Sequence, residues 1–436
     1  MKNFVFSNST VLILNFLFLV SCKQKSNEHS ELNLEDTKII KQFFDEALTT
    51  RETYALLDHL SNKIGHRLSG SEGAAKAVNW TEKVMNNYGF DKVYKQDLFV
   101  PNWKRGDKEV ARIIDPKEDL SVLALGMSVP TPKDGIRAKI VEVQRLEDLE
   151  ILGRENIEGK IVFFNRPTDQ RLITTGSAYG GAVDQRAEGP SMAAKYGAIG
   201  VVIRSVGTAF DDVPHTGGTK YKDGITKIPA AALGVKSADR LTSALRENPN
   251  TELFMKMNCR TLKDAPSHNV IGELTGKEFP DKIITIGGHI DSWDVGHGAH
   301  DDGSGCMQSI QVLRLFQKLG IIPRHTIRAV MFMNEENGTR GGLKYAELAK
   351  KNMEDHLIAL ESDAGAFTPR GFGVTADDTT IEKFRSWLPY FDDNTINFIK
   401  KGGGGVDINP LHKTLGTPTI GFIPDSQRMF DLHHSP

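Results

Sequence analysis

The sequence predicts an α/β fold, a mixed, mostly parallel sheet flanked by helices and interrupted by an inserted β-rich domain. Three observations predict it. After Thr261, strand-like and helical patterns alternate, an order that favours parallel pairing with helices on both faces. Between residues 111 and 262 the texture changes to short strands and loops rich in glycine and small polar residues. Ligand-type side chains recur just past the predicted strands, where open α/β sheets bind their ligands. With 436 residues, the chain exceeds what one hydrophobic core commonly fills, so two or three structural units are expected.

Taken in order, Lys2 precedes an apolar run, Val11 to Val20, too short to anchor a chain across a bilayer and suited to a signal peptide over 1–22. The run ends in "LVSC", which resembles the bacterial lipobox, and Cys22 is the residue that would receive the lipid. Cleavage nearby as an ordinary signal peptide is the alternative. A polar tether over 23–36 follows. This places the mature chain outside the cytosol, held on a membrane. From Thr37 the apolar residues fall at helical spacings. Ser69 or Ser71 caps an alanine-rich helix that stops near Gly89, and "DKVYKQDLFVPNW" alternates as a strand. Residues 37–110 thus form the first part of the larger domain.

Within 111–262, "AKIVEV", "GKIVFFNR" and "AIGVVIRS" read as strands and "SMAAKYG" as a helix. Residues 168–190 show no periodicity and are expected to form a mobile or functional loop. In the last part, 263–436, the strands are "KIITIGGHI", "IRAVMFMNEE", "HLIALESDAG" and "TPTIGFIP". "GSGCMQSIQVLRLFQKLG" is a helix with Cys306, Ile310, Leu313 and Phe316 on one face and Gly320 as its stop. The 54 basic and 56 acidic residues nearly balance, which gives no reason to expect a nucleic-acid partner. Cys259 and Cys306 are compatible with one disulfide or with two buried thiols. "KGGGGVD" is not followed by the Gly-Lys-Ser/Thr of a phosphate loop; close backbone approach near a substrate is the better use of its glycines.

The segment "GGHIDSWDVGHGAHDDGSG", Gly287 to Gly305, gathers three histidines and four aspartates. His289 and Asp291 follow the first of the late strands, Glu335 and Glu336 end the second, Asp363 ends the third, and His434 follows the fourth. Each patch alone reads equally as a turn, a cap or a solvated surface. Together, at one sheet edge, so many carboxylates need cations to be buried side by side. Asp301, Glu336 and Asp363 with one hydroxide carry the charge that two divalent ions balance. His289 and His434 add neutral nitrogen donors, a mixture that suits zinc.

These residues resemble the co-catalytic dizinc exopeptidases, a family of bacterial aminopeptidases with a carboxypeptidase Q-like branch. The resemblance rests on "GHRLSGS", "VPNWKRG", the Gly287–Gly305 segment, "NEENGTRGG", "ESDAGAF", "GGGGVDINPL" and "GFIPDSQRMFDLHHS". The 111–262 insertion is similar to a protease-associated domain. The resemblance implies the zinc exopeptidase fold, two zinc ions per chain, a peptide substrate and a homodimer. It implies Asp301 as the carboxylate spanning both metals, His289 and Asp363 completing one site, and Glu336 and His434 the other. Glu335 is implied as general base and acid, Asp291 as acceptor of the second ring proton of His289, and Asp302 as a non-ligand. His297 and His300 are alternatives to His433 or His434 as ligands, although their place in the loop suits its wall. The chain stops at "HHSP", whereas the family continues into a closing helix, so the last ligand is expected on a frayed terminus. A glutaminyl-cyclase-like acyltransferase with one zinc, and a receptor-like domain with a dead site, are the rival readings.

Overall fold

The computed structural model describes residues 33–436. The predicted signal peptide, Cys22 and all of the tether up to residue 32 lie outside the described residues. Helix Leu34–Thr49 starts within the expected tether, because Asn33 caps it by accepting hydrogen bonds from the Glu35 and Asp36 N–H groups. Ser71, not Ser69, caps the helix Glu72–Tyr88, and Gly89 ends it in the left-handed conformation. No described helix is long and apolar enough to cross a membrane.

The larger of two eight-stranded sheets begins at an edge where Lys92–Lys104 pairs antiparallel with Arg260–Leu274. It continues through His325–Phe332, Phe279–His289, Asp355–Glu361, Thr419–Pro424, Pro369–Thr375 and Phe398–Lys401. Four of its seven pairings are parallel, so the sheet is mixed and its centre is parallel. Helices Glu72–Tyr88 and Ser304–Lys318 cover one face, burying Met85, Cys306, Ile310 and Leu313 against Val270 and Met331. Tyr345, Ala346 and Leu411 cover the other against Val330 and Phe332. Each fully buried Val, Leu, Ile, Phe or Met among them contributes roughly 1.5–3 kcal/mol. Pro369–Thr375 and Phe398–Lys401 are strands that the sequence pattern did not reveal. Their alternation is broken by Gly371 and Gly373 and by the shortness of the edge strand.

The smaller sheet is built from strands between Val110 and Lys256. Its central strands, Ile161–Phe164, Gly200–Arg204 and Ala230–Leu233, are buried along their whole length, as expected of parallel strands covered on both faces. The expected boundary at residue 262 falls inside the larger sheet. Arg260, Thr261 and Leu262 pair there with Lys104, Trp103 and Asn102, which returns the chain to the larger unit before that point. Cys259 and Cys306 are both free and buried. The 168–190 segment folds into two short helices, Thr175–Gly180 and Asp184–Ala187.

Candidate metal centre

Four neighbouring strands, His325–Phe332, Phe279–His289, Asp355–Glu361 and Thr419–Pro424, run parallel to one another. Register pairs His289 with Phe332 and Gly287 with Glu361, so the strands end together. His289 closes its own strand, Glu335 and Glu336 follow Phe332, and Asp363 follows Glu361. His434 arrives from the short helix Met429–Leu432. Asp301 comes from the turn that precedes helix Ser304–Lys318.

The structure brings His289, Asp301, Glu336, Asp363 and His434 together. Asp301 has a different set of partners at each oxygen. Its Oδ1 lies 3.0 Å from His289 Nε2, which also lies 3.2 Å from Asp363 Oδ1. Its Oδ2 lies 3.2 Å from His434 Nε2, which lies 3.1 Å from Glu336 Oε2. The other oxygen of Glu336 accepts a hydrogen bond from the Trp293 N–H at 3.1 Å. Asp302 stands close to His289 and Asp363, but its oxygens accept from the His289 and Gly305 N–H groups, each at 3.0 Å. It therefore braces the turn.

Electrostatics define the charge that the cluster favours. Burial pushes Glu336 up to about 7, with Asp301 adding repulsion. Burial, reinforced by Asp363 and Glu336, holds Glu335 well above its ordinary value. For His289 burial acts downward, yet the carboxylates of Asp363 and Asp301 hold it well above the usual imidazole range. Burial likewise opposes protonation of His434, but Glu336 and Asp301 raise it to about 9. The buried carboxylates thus disfavour one another's charge and raise the neighbouring imidazoles, an imbalance that nearby cations would relieve. Two nitrogens and three carboxylates, divided by Asp301 into two sets, fit a pair of zinc ions in donor type and charge.

Asp291 departs from expectation. His289 Nδ1 meets the Asp291 main-chain carbonyl at 3.0 Å, while the carboxylate stands 3.8 Å away. That carboxylate instead accepts from the Asn334 and Glu335 N–H groups, at 2.7 and 3.1 Å. The reason is local: Asn334 turns the chain out of its strand at φ 77° and leaves two buried N–H groups in need of an acceptor. Asp291 therefore fixes the backbone of Glu335. The Glu335 carboxylate makes no hydrogen bond or ion pair among the described residues and faces a cavity of about 850 Å³.

His300 and His297 stay out of the cluster. His300 stacks on Phe367, ring centroids 4.4 Å apart, and accepts from the Ala366 N–H, while the His297 side chain is exposed. His433 does approach, 3.3 Å from Asp301 Oδ2, with its ring stacked on His434. The tail is not frayed as expected, because the smaller unit holds it. Thr216 N–H donates to the His434 carbonyl at 2.9 Å and Thr208 N–H to that of Phe430 at 3.1 Å. His215 Nδ1 meets the His433 carbonyl at 2.6 Å, and Tyr179 stacks on Phe430.

Arg67 is a supporting residue whose part sequence reasoning missed. Fully buried, it donates to the carbonyls of Ile290, Gly65, His297 and Gly298 at 2.8–3.1 Å, tying the loop that carries Asp301 to the end of the His289 strand. Its signal was the "GHRLSGS" motif, which fits no helix or strand period. The cavity wall opposite the carboxylates comes from the smaller unit. Its charged members are Arg186 and Lys220.

Residues 269–431 match the sequence family described as Peptidase family M28. Over 384 residues, 88% of this chain and 79% of the relative, the chain is 34% identical to carboxypeptidase Q of Bos taurus. A solved peptidase M28 precursor from Shewanella amazonensis SB2B superposes with a TM-score of 0.88 at 34% identity, covering 92% of this chain and 90% of that one. The zinc aminopeptidase of Bacillus subtilis, at 21% identity and a TM-score of 0.64 over 86% and 84% of the two chains, is similar in fold alone. The matched segment contains each of the converging residues except the tail histidines, and the likeness to carboxypeptidase Q runs through both sheets; the chain belongs to peptidase family M28.

Proposed function

We propose that this chain is a zinc-dependent exopeptidase that hydrolyses dipeptides or short peptides, using two zinc ions per chain. The carrying observation is the divided carboxylate of Asp301, with His289 and Asp363 at one oxygen and His434 and Glu336 at the other. His289, Asp301 and Asp363 would hold one ion, and His434, Asp301 and Glu336 the second. Zinc, when bound, supplies Lewis acidity and makes water more acidic. Glu335 takes the proton of the attacking water and delivers it to the departing amine. Its unpartnered carboxylate suits this, and Asp291, gripping the main chain, keeps it aimed at the cavity. Tyr179 and Phe430, stacked with ring centroids 4.6 Å apart, give the cavity an apolar wall beside these groups.

Two features support short substrates. The cavity sets acidic groups against the cations Arg186 and Lys220, which suits a peptide bringing an ammonium and a nearby free carboxylate. The carboxypeptidase Q relatives support the same reading. The smaller unit corresponds to a protease-associated domain, and the lipobox-like "LVSC" supports an extracytoplasmic chain held on a membrane by lipid at Cys22. The test is zinc content of the purified chain together with a dipeptide panel, free, N-acetylated and C-amidated. Two zinc ions and cleavage that stops with chelator support the proposal. One zinc with cyclisation of glutaminyl peptides overturns it in favour of an acyltransferase, and two zinc ions with no turnover in favour of a binding domain.

A further inference from the structure

The cluster is shared between the two units in an uneven way. His289, Asp301, Glu336 and Asp363 stand on the larger sheet and its turns, and are braced there by Arg67, Asp302 and Trp293. At His434, by contrast, Trp293 meets the ring edge-on with centroids 5.6 Å apart and Arg186 Nη1 of the smaller unit lies 3.4 Å from Nδ1, but among the described residues no hydrogen bond from the larger sheet holds its main chain. Its main chain is at φ 59°, a left-handed conformation that costs a residue with a side chain about 1 kcal/mol or more. What keeps it there comes from the strip Gly207–Thr216 of the smaller unit. On either side of the peptide that joins His433 to His434, His215 Nδ1 donates to the His433 carbonyl at 2.6 Å and Thr216 N–H donates to the His434 carbonyl at 2.9 Å.

The strip is itself anchored to the smaller unit. His215 N–H donates to Ser205 Oγ at 2.8 Å, whose hydroxyl donates to the Leu233 carbonyl at 2.7 Å, so the imidazole is referenced to the buried centre of the smaller sheet. Gly207 passes so closely that a Cβ there would lie 2.8 Å from His215 Cε1 and 3.0 Å from the Phe430 carbonyl oxygen. Thr208 Oγ1 adds a bond to Asp431 Oδ1 at 2.6 Å.

We propose that His215 is a positioning residue for the second zinc site: by its hydrogen bond to the His433 carbonyl it holds His434 in coordinating orientation, so that occupancy of that site depends on the smaller unit. The inference rests on the reading of His434 as a ligand. It implies that the two sites respond differently to a change far from any ligand. The His289–Asp363 site is complete within the larger unit, whereas the His434–Glu336 site is built across both.

The experiment measures zinc affinity of the full chain by competition with a chromophoric chelator, and zinc content by mass spectrometry. His215→Ala is expected to weaken one of the two ions by about tenfold or more, the range typical of losing a group that orients a ligand, and to leave the other unchanged. His215→Asn, whose side-chain N–H can replace the Nδ1 donor, is expected to restore the second ion. A merely structural role for His215 would lower thermal stability with both affinities kept or both reduced, and either pattern overturns the proposal. His434→Ala separates the inference from its premise. If it keeps both ions at full affinity, the reading of the site fails, and the inference with it. If it loses one while His215→Ala loses none, the inference alone fails. Should His215→Ala not fold, His215→Phe, which keeps an aromatic ring and removes the donor, carries the same comparison.

Discussion

Glu335→Gln tests the assigned proton carrier with little structural disturbance. The Glu335 carboxylate has no hydrogen-bond partner to lose among the described residues, and Asp291 grips the residue through its N–H at 3.1 Å, a contact that a side-chain amide leaves intact. No proposed zinc ligand is touched. The change therefore removes one function, uptake and delivery of a proton, worth about 10²–10⁴ in rate for a positioned carboxylate. At 1.36 kcal/mol per decade this is roughly 2.7–5.4 kcal/mol of barrier. Burial, with Asp363 and Glu336 nearby, already disfavours a charge on Glu335 in the metal-free chain, so a neutral amide in its place is expected to leave the melting temperature of that form unchanged or higher. The assay is kcat and KM on a dipeptide, with zinc content measured on the same preparation. A kcat within tenfold of the unsubstituted chain, with both zinc ions present, would refute the reasoning and move the base elsewhere.

Asp301→Asn keeps one good acceptor oxygen where two sets of partners converge, so zinc per dialysed chain is expected to fall from two to one or fewer; two tightly held ions would show that Asp301 does not span them. Lys220→Met removes an exposed charge from the cavity wall, an interaction worth about 0.2–1 kcal/mol. The ratio of kcat/KM for a free dipeptide over its C-terminal amide is then expected to drop by a factor of about 1.4–5, and an unchanged ratio places the carboxylate elsewhere. Away from the site, Glu354 is held at about 2 against its ordinary 4.5. Burial acts upward, but hydrogen bonds from His356 and Arg328 outweigh it. A depressed carboxylate contributes stability above its unfolded pKa and loses it as pH falls through the folded one. Melting temperatures measured from pH 5 down to 2.5 should therefore fall more steeply in the unsubstituted chain than in Glu354→Gln, and parallel curves would disprove the linkage.

The larger sheet was legible because its central strands are continuous apolar runs, "KIITIGGHI" and "IRAVMF", each breaking off into polar residues that mark the same edge. The grouping of His289, Asp301, Glu336, Asp363 and His434 followed from that edge together with the quoted motifs. What stayed hidden depends on partners distant in sequence. Nothing near Asp291 says that its carboxylate serves the N–H groups of Asn334 and Glu335 instead of the His289 ring, because the need arises from a turn at Asn334. The cis peptide between Asp301 and Asp302 has no signature in residue type. The grip of His215 and Thr216 on the tail joins segments more than two hundred positions apart, and a short tail viewed alone offers only its few residues and no core. Gly371 and Gly373 disguised a strand whose place is set by pairing with Thr419–Pro424.

Arg67, with its carbonyl partners spread over Gly65, Ile290, His297 and Gly298, also bears on when the chain could first cut anything. Three of these partners lie more than two hundred positions further along the chain, so the loop that carries Asp301 has no seat until both the early helices and the late strands are in place. A half-folded copy would carry scattered acids and imidazoles without a working site.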